Sequence, residues 1–315
     1  MKKFILSVIS LFLGFTLVAC GKGVEPTVVD DYQLKVAAPS GAPLISLAGA
    51  VLEKNYVLNV NLDASALQPL FVKGEEDVIV APINLGATVY NKVNQNYQLA
   101  SILTFGNLFI ASQDSNLTSL SYLDGKDVVL FGENTINDVI VKYVFEQKNI
   151  HPNISYLGNT NLTQAELVKS ESVIVLIAEP ALSAAKTSLA KDGKSVKVVT
   201  VQTEFETVTN NMKFTQAGCF IKKETAEKHK GLVDAFLNGL NASATLTTEA
   251  KIEEAAVNVS KLGLATPKAV LVKAIPNCNI SYMTASESKA LVEFCANLNL
   301  KLFGGKLPDN GFYYA

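Results

Sequence analysis

"VAAPSGAP", residues Val36 to Pro43, begins as an apolar run, breaks into proline, serine, glycine and proline, and passes at once into the helical pattern "LISLAGAVLEK". Small residues at such a break let the backbone approach a neighbour closely. The helix start beyond it offers N–H groups that have no partner inside the helix. The same joint recurs in "VIVAPINLG" (78–86), "VVLFGENTIND" (128–138) and "VIVLIAEPALS" (173–183). Taken singly, each is an ordinary strand-to-helix turn. Pro43, Pro82 and Pro180 suit a first helical turn, and Thr135 with Asp138 has capping-box spacing. Four such joints, two in each half of one region, point instead to a shared cleft, because ligands of open α/β sheets sit beyond the carboxyl ends of the strands.

Around the joints, β-rich runs alternate with helical periods. "YQLKVAA", "YVLNVN", "EDVIVA", "YQLASILTF", "KDVVLF", "NISYL", "SVIVLIA" and "SVKVVTV" read as strands. "ALQPLFVK", "NLGATVYNKV", "INDVIVKYVFEQK", "LTQAELVK" and "ALSAAKTSLAK" carry apolar residues at spacings of three and four. This alternation predicts an α/β protein with mostly parallel sheets flanked by helices. Several strands are apolar at every position, as strands covered on both faces are. Beyond Thr225 the chain reads as successive helices, with "QAGCFIKK" (216–223), just ahead of them, the one strand expected in the closing part of the chain.

Half of the 315 residues are apolar and the formal charge is −2, which fits a globular protein and gives nucleic acid no basic surface to bind. All 27 cationic residues are lysine, so an anion must be held without the guanidinium fork. The two histidines, His151 and His229, lack a metal-binding partner at i+4 and are expected on the solvated surface. "GKS" at 193–195 lacks the glycine of a phosphate loop five places earlier, and no G-x-S-x-G elbow exposes a nucleophile. No catalytic residue, metal or cofactor is therefore expected.

At the N-terminus, Lys2 and Lys3 precede the sixteen-residue apolar stretch "FILSVISLFLGFTLVA", which is a secretory h-region rather than a membrane span. It ends in "LVAC", and the sequence resembles the bacterial lipobox, which implies lipidation of Cys20. Cys219, Cys278 and Cys295 remain, either buried as free thiols or with a Cys219–Cys278 bridge.

The order of "SGAPL", "VAPINLGATVYNK", "FGNLFI", "SLSYLDGKDVVLFGENTINDVIVKYV", "AEPALSAA", "QAGCFIKK", "AIPNCNI" and "FGGKLPDNGFYY" behind a lipobox resembles the type II periplasmic-binding-protein fold. Within it, the chain resembles the substrate-binding lipoproteins of ABC importers of the nitrate, sulfonate and thiamine-precursor group. It lacks the glycine-leucine-phenylalanine run that the best-studied sulfonate binders carry after the first helix, so the likeness assigns no ligand. The resemblance implies a signal peptide at 1–19, a tether at 20–31, one lobe from 32–107 with 206–315, and a second lobe from 108–205. "TFGNLFI" would be the outward crossing and a segment between Val201 and Ile221 the return, with closure about them burying the solute. The implied partners are a small-molecule ligand, an ABC permease with its ATPase, and the lipid bilayer that anchors a monomer outside the cytoplasm.

The residues expected at the ligand are Ser40, Gly41, Ala42, Pro82, Asn84, Gly106, Asn107, Glu133, Asn134, Thr135, Glu179 and Asn277. Glu133 and Glu179 would repel an anion and suit ring N–H or amino donors, and Phe105, Phe109, Phe131 and Tyr90 are near enough in sequence to stack on a flat ring. A neutral or N–H-bearing organic solute, such as a heterocyclic vitamin precursor, is therefore favoured. The alternatives are a sulfonate or nitrate held by helix N-termini alone, and a sensory or adhesion lipoprotein that reuses the fold.

Overall fold

The computed structural model describes residues 31–50, 55–61, 66–246 and 248–315. The leader, the tether up to residue 30 and Cys20 lie outside the described residues. Among those described, no helix is long and apolar enough to cross a membrane.

Among the described residues, eleven strands form two sheets. The six-stranded sheet has the order β11 (Ile280–Thr284), β4 (Tyr97–Phe105), β10 (Thr215–Lys222), β3 (Val78–Pro82), β1 (Leu34–Pro39), β2 (Tyr56–Asn61). The five-stranded sheet has the order β7 (Asn153–Leu157), β6 (Asp127–Phe131), β8 (Ile174–Ala178), β5 (Leu108–Ser112), β9 (Lys197–Thr200). The helices are α1 (Ala42–Ile45), α2 (Leu67–Lys73), α3 (Ile83–Lys92), α4 (Ile136–Gln147), α5 (Thr160–Lys169), α6 (Ala181–Lys191), α7 (Val201–Val208), α8 (Lys223–Lys228), α9 (Lys230–Ser243), α10 (Glu249–Lys261), α11 (Lys268–Ala274) and α12 (Ala285–Leu298). The result is the expected two-lobed α/β architecture, one lobe on each sheet.

The sheets are mixed, which corrects the mostly parallel expectation. β1 runs parallel to β2 and β3, and β6 to β7 and β8. The strands next to the crossings run the other way: β10 is antiparallel to β3 and β4, and β5 to β8 and β9. A chain that leaves one sheet and re-enters it must insert strands against the direction of the βα units. The outward passage is only two residues, Gly106 and Asn107, between β4 and β5. On the way back α7 packs on α4 and β5, so the return runs through 209–214, where Asn210 and Asn211 both take left-handed backbone (φ 54 and 67).

Two local expectations fail for physical reasons. The pattern "LISLAGAVLEK" predicts one helix, yet α1 ends at Ile45 and tight turns follow to Ala50, with Leu47, Ala48 and Ala50 each bonding three residues back, and 51–54 lie outside the described residues. Ser46 donates to the Pro43 carbonyl at 2.7 Å, and Gly49 lies so close to Ser243 that a Cβ would meet its Oγ at 2.2 Å. Beyond Thr225 the strand β11 also forms, half-buried at a sheet edge and irregularly registered on β4, which blurs its alternation.

One apolar core runs through both lobes on the side of the crossings, where Phe205, Phe214 and Phe294 interlock at right angles. The outer face of each sheet has a core of its own. Cys219, Cys278 and Cys295 are buried free thiols, so no Cys219–Cys278 bridge forms. Burial pushes all three thiols up in pKa. His151 is exposed as expected, but His229 is half-buried and stacks on Tyr32 at 3.9 Å.

Candidate functional site

A cleft of about 1160 Å³ opens between the sheets, and all four joints end in it. The reason is directional. β1 and β3 are parallel in one sheet and β6 and β8 in the other, so their carboxyl ends meet across one space. Ser40, Gly41, Ala42, Pro82, Asn84, Asn107, Glu133, Thr135 and Glu179 line it.

Each joint is shaped differently. The Ser40 N–H is held by the Asn61 carbonyl at 2.8 Å, and Gly41 turns the chain with φ 94 and ψ −148. That backbone is strained for any residue with a Cβ, so the glycine is required there. Pro82 precedes α3, whose first turn carries Asn84 with its Oδ1 buried and unpartnered. At the third joint the capping box does not form. Thr135 Oγ1 donates back to the Gly132 carbonyl at 2.6 Å, while buried Asp138 accepts from the Asn134 N–H, Lys142 and the Tyr156 hydroxyl.

Glu179 is the most constrained group in the cleft. It is 3% exposed, and its two carboxylate oxygens accept from the Ser183 N–H at 3.0 Å and the Ser183 hydroxyl at 2.9 Å. Ser183 is the third residue of α6, so Glu179 caps that helix through an orphan N–H. Burial raises its pKa above the usual carboxylate value, while Ser183, Lys186 and Asn277 hold it down. Each carboxylate oxygen keeps a further acceptor site beside its bond to Ser183, so Glu179 lines the cleft while capping α6, and exposed Glu133 is the second carboxylate there.

Three other expected residues are elsewhere. Asn134 is a left-handed turn residue (φ 59) outside the lining. Gly106 is packed so tightly that a Cβ would lie 2.2 Å from Gln202 Oε1 and 2.6 Å from the Phe214 ring; it serves the crossing rather than the ligand. Asn277 is exposed behind the cleft, its Nδ2 donating to the Lys273 carbonyl, while its neighbour Asn279 grips the Gly106 carbonyl. Of the four rings only Phe131 lines the cleft. Phe105 and Phe109 are core, and Tyr90 is buried with its hydroxyl on Asp309.

The sequence reading also missed residues. The joint after β7 lines the cleft with Gly158, Asn159 and Thr160, as does Tyr156. Its signal was present: Asn159 accepts from the Asn161 and Leu162 N–H groups as an N-cap. Gln216 on β10 takes the Asn107 N–H at 2.9 Å and donates to Asn137 of α4 at 3.1 Å, a polar tie across the cleft. The 263–267 loop follows a helix, so no strand-to-helix signal could flag it.

Among the described residues, the lining carries two glutamates and no lysine, arginine or histidine. Amides, hydroxyls and backbone ends dominate, which suits hydrogen-bonded capture of a polar molecule and offers no paired acid and base. Among the described residues, no group of three or more His, Cys, Asp or Glu gathers as a metal site would need.

No protein-family model and no curated protein matches the chain. Solved structures do. An ABC transporter protein from Parabacteroides distasonis superposes with TM-score 0.74 at 23% identity, covering 90% of this chain and 99% of that one. The ligand-binding component of an ABC-type import system from Staphylococcus aureus, solved with zinc bound, gives 0.67 at 14% identity over 90% and 96%. The periplasmic aliphatic sulphonate binding protein SsuA of Escherichia coli gives 0.65 at 12% identity over 89% and 96%. The chain has the periplasmic-binding-protein fold.

Proposed function

We propose, with that fold as the premise, that the chain is the extracytoplasmic solute-binding component of an ABC importer. It acts by capture and not by catalysis, and hands a small organic solute to a permease. The observation that carries this is the single cleft where strand ends of both lobes meet, bounded by two crossings. The solute is neutral or bears N–H donors, as a heterocyclic vitamin precursor does: Glu133 and the amides of Asn84, Asn137 and Gln216 face it, and among the described residues no cationic side chain lines the cleft to favour an anion. We assign the lobes to 32–107 with 209–315 and to 108–208, which moves the expected boundary at 205 to the end of α7 because that helix packs on α4 and β5, and we put the hinge at Gly106–Asn107.

Native mass spectrometry of the purified mature protein tests the reading. A co-purified neutral or N–H-bearing compound is expected; adding it back should raise Tm by mass action on the folded state and shrink the particle in solution scattering. A bound sulfonate or oxyanion would replace the ligand class. Confirmed binding with unchanged dimensions would remove the two-lobed trap, and an adjacent sensor kinase gene without a permease would favour signalling.

Lipidation of Cys20 is part of the same proposal. Cys20→Ala should move the protein from the membrane pellet to the soluble fraction and abolish incorporation of labelled fatty acid, because stable anchoring needs two acyl chains. Equal release of the unsubstituted protein would refute the anchor.

A further inference from the structure

We propose that a second binding site, for a small oxyanion of the phosphate or sulfate kind, lies outside the cleft where α6 meets α11. A concavity of about 390 Å³ there is lined by Ser183, Lys186, Thr187, Ala190, Lys273 and Asn277. The first four recur on one face of α6 at helical spacing, and Lys273 with Asn277 is an i, i+4 pair. Among the described residues neither lysine is within ion-pairing distance of a carboxylate, although many of the chain's other lysines are so paired. Two cationic side chains thus border one hollow, and an anion seated there is attracted by both.

The donor set fits an oxyanion. Two lysines supply point charges and Thr187 a hydroxyl, while Asn277, whose amide bonds the Lys273 carbonyl and also interacts with Glu179, shapes the rim. Lysine holds phosphate well as a point charge, so the missing arginine is no obstacle here. Glu179 lies nearby and its carboxylate opposes an anion, but the lysines outnumber it.

The site's position makes it more than a surface patch. α6 follows β8 in one lobe, while α11 and the turn after it pack into the core of the other. An anion held by Lys186 and Lys273 therefore bridges the lobes on the outer side of Glu179. Ser183 and Asn277 line the hollow and also interact with the Glu179 carboxylate, which faces the cleft. Occupancy of the outer site is thereby linked to the wall of the inner one, whichever solute the cleft takes.

Inorganic phosphate, titrated by calorimetry into the mature protein at constant ionic strength, should bind saturably and raise Tm more than chloride does. Lys186→Gln and Lys273→Gln should each weaken binding at least tenfold and together abolish it, with unchanged circular dichroism, since both side chains are exposed. Undiminished phosphate binding in the double variant would place the anion elsewhere, the cleft included, and overturn the proposal, as would the lack of a saturable effect with any oxyanion. Vesicles of phosphatidylglycerol identify the source: vesicle binding that the double variant loses, with free phosphate inert, would make the oxyanion a lipid headgroup at this same site.

Discussion

Phe214→Ala is expected to lower folding stability by about 3–5 kcal/mol, the range for removing a buried aromatic side chain. Phe214 is fully buried in the return segment, edge-on to Phe205 at 5.3 Å, and Phe205 is packed in turn on Phe294 of α12. Its ring also fills the space left by the missing Cβ of Gly106 in the outward segment. One side chain therefore braces both crossings against the core that the lobes share. The right-angled ring contact adds about 0.5–1.5 kcal/mol beyond area burial. Collapse of the site is limited, because Gln202 Oε1 accepts the Phe214 N–H and fixes the backbone on the other side. Chemical denaturation measures the loss, and Phe214→Leu should restore a large part of it. A loss below 1 kcal/mol would mean the crossings are not braced by this core.

The crossings also mark where sequence reading worked and where it stopped. The buried strands β1, β3, β6 and β8 were legible because they are short, apolar but for Lys35 and Asp127 near their starts, and closed or followed by glycine or proline, a local signal. Sheet direction was not legible: whether β5 and β10 run with or against their neighbours depends on which lobe the chain occupies, a long-range matter. The cleft was legible to the extent that it is built of strand-to-helix joints, which is why Ser40, Pro82 and Thr135 were found and the 263–267 loop was not. The partners of a side chain were the least legible. Glu179 and Ser183 stand four apart, a spacing as common on any helix as it is here significant, and nothing local told that the carboxylate in the cleft wall also caps its own helix.

That pairing has a consequence that two substitutions separate. Glu179→Ala should cost about 1–3 kcal/mol, because it strands the Ser183 N–H and hydroxyl in a buried place, the usual penalty for an unsatisfied donor. Glu179→Gln keeps one acceptor oxygen and should cost less. The two also differ in pH response. Burial raises the folded-state pKa of Glu179 above its ordinary value of 4.5, so between those two values the folded protein binds more protons than the unfolded chain. Stability contributed by this group is therefore present below pH 4.5 and is lost as pH rises through the folded pKa. Glu179→Gln does not titrate, so it should gain on the unsubstituted protein as pH climbs from 4.5 toward neutrality, a difference in which the opposite trends of Asp114, Glu171 and Asp309 cancel. Solute affinity should fall in Glu179→Ala, through movement of the α6 start in the cleft wall, and be largely kept in Glu179→Gln. Parallel pH profiles for the Gln variant and the unsubstituted protein, with undiminished stability in the Ala variant, would show that the carboxylate neither caps α6 nor carries the cost of its burial.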